Sequence, residues 1–403
     1  MMTMADNKDK KVLNVPALRF PEFTGEWERH KLSEVCSFYS GGTPSSSKKE
    51  YYNGNIPFIR SGELHKDYTE LFITEAGLSN SAAKLVETGD LLLALYGATS
   101  GDIAISKIKG AINQAILCIR TKQNKKFIES VWNKHVERLL QTYLQGGQGN
   151  LSADIVKNIP FYFANSDEQD KLAKFISLLD ERIVTQNKII EKYESLIQAM
   201  CDTLVEQETQ QVTLSFSDFG QSYSGLSGKS AEDFGEGYPF ITYMNVYQNQ
   251  IIDLIDVGLV KINETEQQSV VRYGDILLTL SSETPEEVGM GAVYLGETYP
   301  LYLNSFCFGI HITDESKIYP PFLAYYVSSQ SFRKAVYPLA QGSTRFNLQK
   351  SDFMKKKFSF PVIEKQRKIY STLKTYSDKL IVEKQIMRLL CNQKCYLLRQ
   401  LFI

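Results

Sequence analysis

The chain is poor in the groups that most enzymes need. Only four histidines occur in 403 residues, at His30, His65, His135 and His311. They are dispersed, form no Ser-His-Asp or Cys-His arrangement, and so argue against general acid–base catalysis. The six cysteines (Cys36, Cys118, Cys201, Cys307, Cys391 and Cys395) include no CxxC pair. Cys391 and Cys395 fall one helical turn apart, but no histidine is near them in sequence, which argues against a metal site and for free thiols. No GxxxxGK[ST] occurs and no GxGxxG follows a strand, so nucleotide binding is not expected; Gly289-Met290-Gly291 lacks the rest of a cofactor loop. No apolar run reaches the ~18 residues of a spanning helix. Residues 1–14 are polar and charged, unlike a secretory leader, and a cytoplasmic location is expected.

What is present is a large folded chain. Apolar residues make up 43% and aromatics 12%, enough for two domains, each with its own core. The net charge of −1 hides a segregated second half. Residues 206–332 carry 4 Lys+Arg against 17 Asp+Glu, whereas residues 333–403 carry 16 against 4. Two readings compete for that basic tract: a solvated helix surface, or an electrostatic footprint on phosphates.

The sequence repeats itself. Thr88-Gly89-Asp90-Leu91-Leu92-Leu93-Ala94-Leu95 is echoed by Tyr273-Gly274-Asp275-Ile276-Leu277-Leu278-Thr279-Leu280. Ile112-Asn113-Gln114 is matched by Leu303-Asn304-Ser305, and Gln145-Gly146-Gly147-Gln148-Gly149-Asn150-Leu151 by Gln341-Gly342-Ser343-Thr344-Arg345-Phe346-Asn347-Leu348. Three echoes in one order indicate an internal duplication.

Each half ends in a heptad stripe. Leu172, Ile176, Leu179, Ile183, Gln186 and Ile190 step by four and three, and the pattern runs on to Leu204. Adding 197 gives Ile369, Leu373, Tyr376, Leu380, Glu383 and Met387, then Leu390, Lys394, Leu397 and Leu401. The polar interruption recurs as well, Gln186 in one stripe and Glu383 in the other. A 3.5-residue period sustained over more than four heptads predicts a coiled coil, with the two stripes pairing and the polar positions helping to fix alignment.

Residues 27–160 and 212–358 read as mixed, β-rich domains, after an N-terminal segment at 1–26 and with spacer helices at 165–206 and 364–403. The expected class is α+β: two mixed β-rich domains joined by two long antiparallel coiled-coil helices, with a pseudo-twofold internal repeat. Predicted strands are Ile56–Arg60, Asp90–Tyr96, Ala111–Arg120, Tyr238–Tyr243, Asp275–Leu280 and Leu301–Ile312; helical pieces are predicted at Lys126–Tyr143 and Pro321–Val336. Asn158-Ile159-Pro160-Phe161 is similar to the Asn-Pro-Pro-Phe of amino-methyltransferases, but lacks the first proline and any cofactor segment upstream. It is read as a strand leaving the first domain.

The loops are rich in Gly, Ser, Thr, Asn and Gln, as at Ser40-Gly41-Gly42-Thr43-Pro44-Ser45 and Tyr96–Gly101. Small residues let backbone approach a phosphate, though plain turn chemistry explains them too. Candidate DNA contacts are Thr43, Ser45, Arg60, Thr99, Gln148 and Asn150 in the first domain, and Tyr223, Ser282, Thr344, Arg345 and Asn347 in the second. Arg and Asn/Gln suit bidentate readout of guanine and adenine.

The ordered motifs resemble the specificity subunits of type I restriction–modification systems. They are Pro16-Ala17-Leu18-Arg19-Phe20-Pro21-Glu22-Phe23 with Gly25-Glu26-Trp27, then Lys31–Val35, Gly41–Ser45 and Gly54–Ile59, and above all Glu168-Gln169-Asp170-Lys171-Leu172-Ala173 at the head of the first stripe. In the second half Glu364-Lys365-Gln366-Arg367-Lys368-Ile369 is similar with a shift of one residue. The resemblance implies a non-catalytic DNA-reading subunit with one recognition domain for each half of a split target. It implies assembly with two modification subunits that carry S-adenosylmethionine and methylate adenine, and with restriction subunits that use ATP and magnesium; this chain itself would bind no cofactor.

Geometry leads independently to a split target. The 33 residues from 172 to 204 make a helix of roughly 50 Å. Two heads meeting one face of a duplex need a separation of about one turn, ~34 Å. Two other classes stay open on sequence: a scaffold joining two protein-binding domains, and a DNA-modifying enzyme with an unfamiliar site.

Overall fold

The computed structural model describes residues 13–144, 151–297 and 299–403, and Gln148 and Asn150 lie outside these. The chain forms two compact units. One contains the chain up to Asn187 together with Ile386–Ile403, and the other contains Lys188–Gln385.

In the first unit a four-stranded antiparallel sheet runs in the order Cys36–Ser40, Ile116–Thr121, Leu91–Ala94, Ile103–Ile105. A second sheet contains Phe72–Ile73, Tyr52–Ile59, Gly110–Ile112 and Lys84–Val86, with Phe58 paired in parallel to Ala111. The Glu28–Lys31 strand pairs with Pro160–Phe163 and brings the start and end of the head together. Leu91, Leu93, Leu117, Ile119, Trp27, Phe127 and Trp132 meet in its main core.

The second unit repeats this plan. Its four-stranded sheet is Gly220–Ser224, Cys307–Ile312, Ile276–Thr279, Gly291–Val293, in the same spatial order. Phe240 pairs in parallel with Tyr302, and Gln211–Ser215 pairs with Lys357–Pro361. Phe216, Phe219, Phe332, Phe353, Phe358 and Phe360 crowd its core, with Phe216 stacked on Phe353 at 4.9 Å.

The sequence echoes acquire physical causes. Gly89 has φ +87° and Gly274 φ +86°, so each Gly-Asp enters its buried strand through a left-handed turn. The following carboxylate closes the turn: Asp90 accepts the Glu87 N–H at 3.0 Å, and Asp275 the Arg272 N–H at 2.8 Å. Asn113 and Asn304 turn the chain between sheets, their side-chain oxygens accepting the N–H of Ala115 (3.1 Å) and Phe306 (2.9 Å). Hence the predicted runs Ala111–Arg120 and Leu301–Ile312 are each two strands in different sheets. The strand expected at Tyr238–Tyr243 is Phe234–Ile241; Thr242 then caps a helix at Tyr243–Gln248 by accepting the Asn245 N–H. The piece expected at Pro321–Val336 is two helices, Pro320–Tyr326 and Gln330–Val336, because Ser329 caps a new start.

Two long helices, Ser166–Glu206 of 41 residues and Ile363–Leu401 of 39, follow the heads. In the first unit Leu172 and Ile176 share a core with Leu398, Leu401 and Phe402, and Asp180 pairs with Lys394 at 2.6 Å. In the second, Ile197, Cys201 and Val205 share a core with Ile369 and Leu373, and Glu194 pairs with Lys384 at 2.7 Å. The beginning of one helix therefore meets the end of the other, an antiparallel pairing. Every heptad position from Leu172 to Leu204 and from Ile369 to Leu401 is buried or half-buried, including Gln186 and Glu383. Lys394 is tolerated in the stripe because its ammonium reaches Asp180, which Lys126 also contacts at 2.6 Å. Burial pushes the Asp180 carboxyl up, but these two lysines outweigh it and hold the group below its ordinary value.

The helix heads correct the one-residue shift. Gln169 donates to the Ala164 carbonyl (2.7 Å) and to Gln123 Oε1 (2.8 Å), and accepts the Asn124 N–H (3.2 Å). Gln366 donates to the Pro361 (2.8 Å) and Lys317 (3.3 Å) carbonyls and accepts the Tyr319 N–H (2.8 Å). Both are buried, and they stand 197 residues apart, so the repeat stays in register. What changes is the preceding residue, Glu168 against Lys365. Glu168 accepts Arg19 at 2.7 Å; Lys365 pairs with Glu208 at 3.1 Å, the same clasp with its charges reversed. Among the described residues no helix is long and apolar enough to cross a membrane.

Candidate nucleic-acid interface

The structure separates the candidate contacts into frame and surface. Arg60 belongs to the frame. Its guanidinium donates to Glu63 at 2.9 Å and Glu70 at 2.7 Å; burial pushes the Glu63 carboxyl up, but the Arg60 guanidinium, the Arg60 and Glu70 N–H groups and the Thr69 hydroxyl together pull it down to about 2. A guanidinium already shared by two carboxylates has no fork to offer a base. Tyr223 is buried, donates to Asp275 at 2.7 Å and stacks on His311 at 4.2 Å. Ser282 is also buried and donates to Glu287 at 3.1 Å. Thr99 is half-buried in a tight turn between Gly97 and Gly101, both at positive φ.

The glycines of the first loop also have a structural cause. A Cβ on Gly41 would stand 1.8 Å from the Ile112 carbonyl oxygen, and one on Gly225 would stand 2.0 Å from that of Asn304. Each glycine lets its loop cross the neighbouring strand, so close approach to a phosphate is not needed to explain it. Thr43 and Ser45 are exposed; Thr43 donates to Gln114 at 2.5 Å and Ser45 hydrogen-bonds Ser47 at 2.8 Å.

Part of the basic tract is also tied up within the fold. Lys357, Lys365, Lys374, Lys384 and Lys394 each pair with a carboxylate, and Arg333 is sunk among the carbonyls of Glu286, Val288 and Gly289. These six of the 16 basic residues serve the fold, and the phosphate footprint shrinks by that number.

A surface site does form in the second unit. Ser281–Ser282, Phe346–Leu348 and Ala340–Gln341 make a small antiparallel sheet in that order, with Ser282 opposite Phe346. This sheet brings Arg345 to a cleft of about 280 Å³ lined also by Tyr243, Met244, Tyr247, Glu283 and Phe306. Thr344, Arg345 and Asn347 are all exposed. Ring and hydroxyl contacts brace the cleft wall: Tyr243 and Tyr247 stack at 6.0 Å, Tyr243 donates to the Ser281 carbonyl (2.8 Å) and Tyr247 to Glu287 (2.7 Å). The Tyr247 hydroxyl, with Ser282 and Thr284, holds the Glu287 carboxylate below its ordinary range. Arg345 lies 5.9 Å over the Phe306 ring, and Phe306 is 56% exposed. Sequence reasoning named Arg345 but missed Tyr243, Met244, Tyr247 and Phe306, whose only signal was an aromatic pair four apart after a threonine cap.

Among the described residues no group of three or more His, Cys, Asp or Glu side chains is placed to hold a metal ion. Two duplicated heads presenting polar loops, the second with an aromatic-walled cleft that holds both Arg345 and Glu283, are carried on paired helices, the layout of a recognition protein. The profile of the type I restriction modification DNA specificity domain matches residues 24–195 and again 215–390, and the chain belongs to that family, with two copies of its domain. It is therefore a DNA-specificity component and not itself an enzyme.

The type I restriction enzyme MjaVIII specificity subunit of Methanocaldococcus jannaschii is 22% identical over 94% of this chain and 92% of its own length. The EcoR124I/EcoR124II specificity subunit of Escherichia coli is 26% identical over 40% of this chain and 43% of its own. In fold, the chain resembles the type I restriction–modification S subunit from M. genitalium, with a TM-score of 0.55 and 16% identity over 96% of this chain and 99% of that one.

Proposed function

We propose that the chain reads a split DNA target, one short word per head, and that the length of the paired helices sets the number of base pairs between the words. The observation that carries this is the duplication itself. The same sheet order, the same Gly-Asp turns and the same helix-head glutamines recur, and each unit contains the start of one long helix and the end of the other. Residues 27–160 and 212–358 are the recognition domains in this reading, and 165–206 and 364–403 the spacers. Their partners are two modification subunits that carry S-adenosylmethionine and methylate adenine, and restriction subunits that use ATP and magnesium, all in the cytoplasm. This chain directs them and binds no cofactor. Contacts fall to the exposed Thr43 and Ser45 in the first head, and to Thr344, Arg345 and Asn347 in the second.

A deletion tests the spacing. Removing four residues from the middle of one long helix shortens it by about 6 Å. A map of methylated adenines from cells expressing the assembled complex is expected to show both words intact and a changed gap. Altered words with an unchanged gap would overturn the reading. Absence of any split word would favour a scaffold instead.

A further inference from the structure

Arg345 and Glu283 occupy equivalent ends of two neighbouring strands. The register pairs Ser281 with Asn347 and Ser282 with Phe346, so one step further places Glu283 opposite Arg345, and both line the same cleft. Opposite charges so placed would ordinarily join, yet among the described residues neither makes an ion pair, and both are exposed. The other carboxylate of the cleft, Glu287, is occupied by Tyr247 and Ser282 and does not compete. Phe306 supports the guanidinium from one side.

From this we infer that the second head reads one G·C base pair through Arg345 and Glu283 together. The inference rests on the split-target reading and names part of one word. A G·C pair presents two acceptors on guanine, N7 and O6, beside one donor on cytosine, the N4 amine. A guanidinium next to a free carboxylate is the complement of that pattern, five donors beside an acceptor. Adenine–thymine presents a donor on the purine and an acceptor on the pyrimidine, which would set N4's replacement, the thymine O4, against the Glu283 carboxylate. The contrast with Arg60 supports this choice, since that arginine has committed its Nε and Nη2 donors to Glu63 and Glu70.

The test uses the full chain assembled with its modification subunits and a pool of randomised duplexes, with selected words read by sequencing. The unaltered protein is expected to require G·C at one position of one word. Arg345→Ala and Glu283→Gln are each expected to relax that position, lowering discrimination roughly 5- to 150-fold, with the other word unchanged as the control for folding. Arg345→Lys should keep affinity better than alanine but lose part of the discrimination, because an ammonium has no bidentate fork. The inference is overturned if the split word is selected but Arg345→Ala leaves every position intact. It is overturned equally if binding weakens uniformly and the salt slope falls by about one, the signature of a phosphate contact. If the unaltered protein selects no split word, the underlying reading fails instead.

Discussion

In the first unit Arg120 lies 5.1 Å over the Tyr39 ring and pairs with Asp90 at 2.9 Å; in the second, His311 stacks on Tyr223 and meets Asp275 at 2.8 Å. Asp90 accepts a turn N–H besides its cations, and so does Asp275. The aspartate recurs because it closes the turn into the buried central strand and must satisfy that turn's amide. Its other partner varies, since any N–H donor over a tyrosine ring serves. The same holds at the helix heads, where Gln169 and Gln366 are alike but the adjacent clasp is Arg19–Glu168 in one unit and Glu208–Lys365 in the other. Burial preserves the groups that satisfy backbone, and leaves the sign of a charge pair free.

The largest way to break that comparison is Glu168→Lys. Glu168 is buried and accepts from both Arg19 and Trp27, so reversing its charge strands the arginine, with a cost of about 3–5 kcal/mol in urea unfolding. Adding Arg19→Glu should recover part of this, because the second unit already uses that polarity. A double variant no better than the single would show the two clasps are not equivalent. Next in size, Asp90→Asn and Asp275→Asn should each cost roughly 1–3 kcal/mol by weakening a buried bonded network. Amide exchange should rise mainly in the strands of the altered unit; equal loosening in both would deny that the repeats have separate cores.

The smallest effect lies at Arg60. The Glu63 carboxyl sits at about 2 in the folded chain, against ~4.3 when unfolded. Its contribution is complete above the unfolded value and is lost as pH falls through the folded one. Thermal unfolding of the protein between pH 5 and 2 should therefore decline less steeply in Glu63→Gln, and an unchanged slope would contradict the ion pairing.

Much of the frame was legible because it depends on spacing. Heptads are visible along one dimension, and so are Gly-Asp turns, since glycine is needed where φ is positive. The candidate interface was less so. Arg60, Arg345 and Arg333 are the same residue type, yet the first is held by two carboxylates, the second is free over Phe306, and the third is buried among three carbonyls. Only Glu63, three residues beyond Arg60, is visible locally; Glu70 and the carbonyls that hold Arg333 are brought in by other parts of the chain.

The sequence by itself determined the duplication, the long helices and the family, because these follow from periodicity and ordered motifs along the chain. Only the tertiary structure decided which polar residues are spent inside the fold and which face solvent. A side chain's availability is set by what other segments bring within about 3 Å of it, and that is a property of packing.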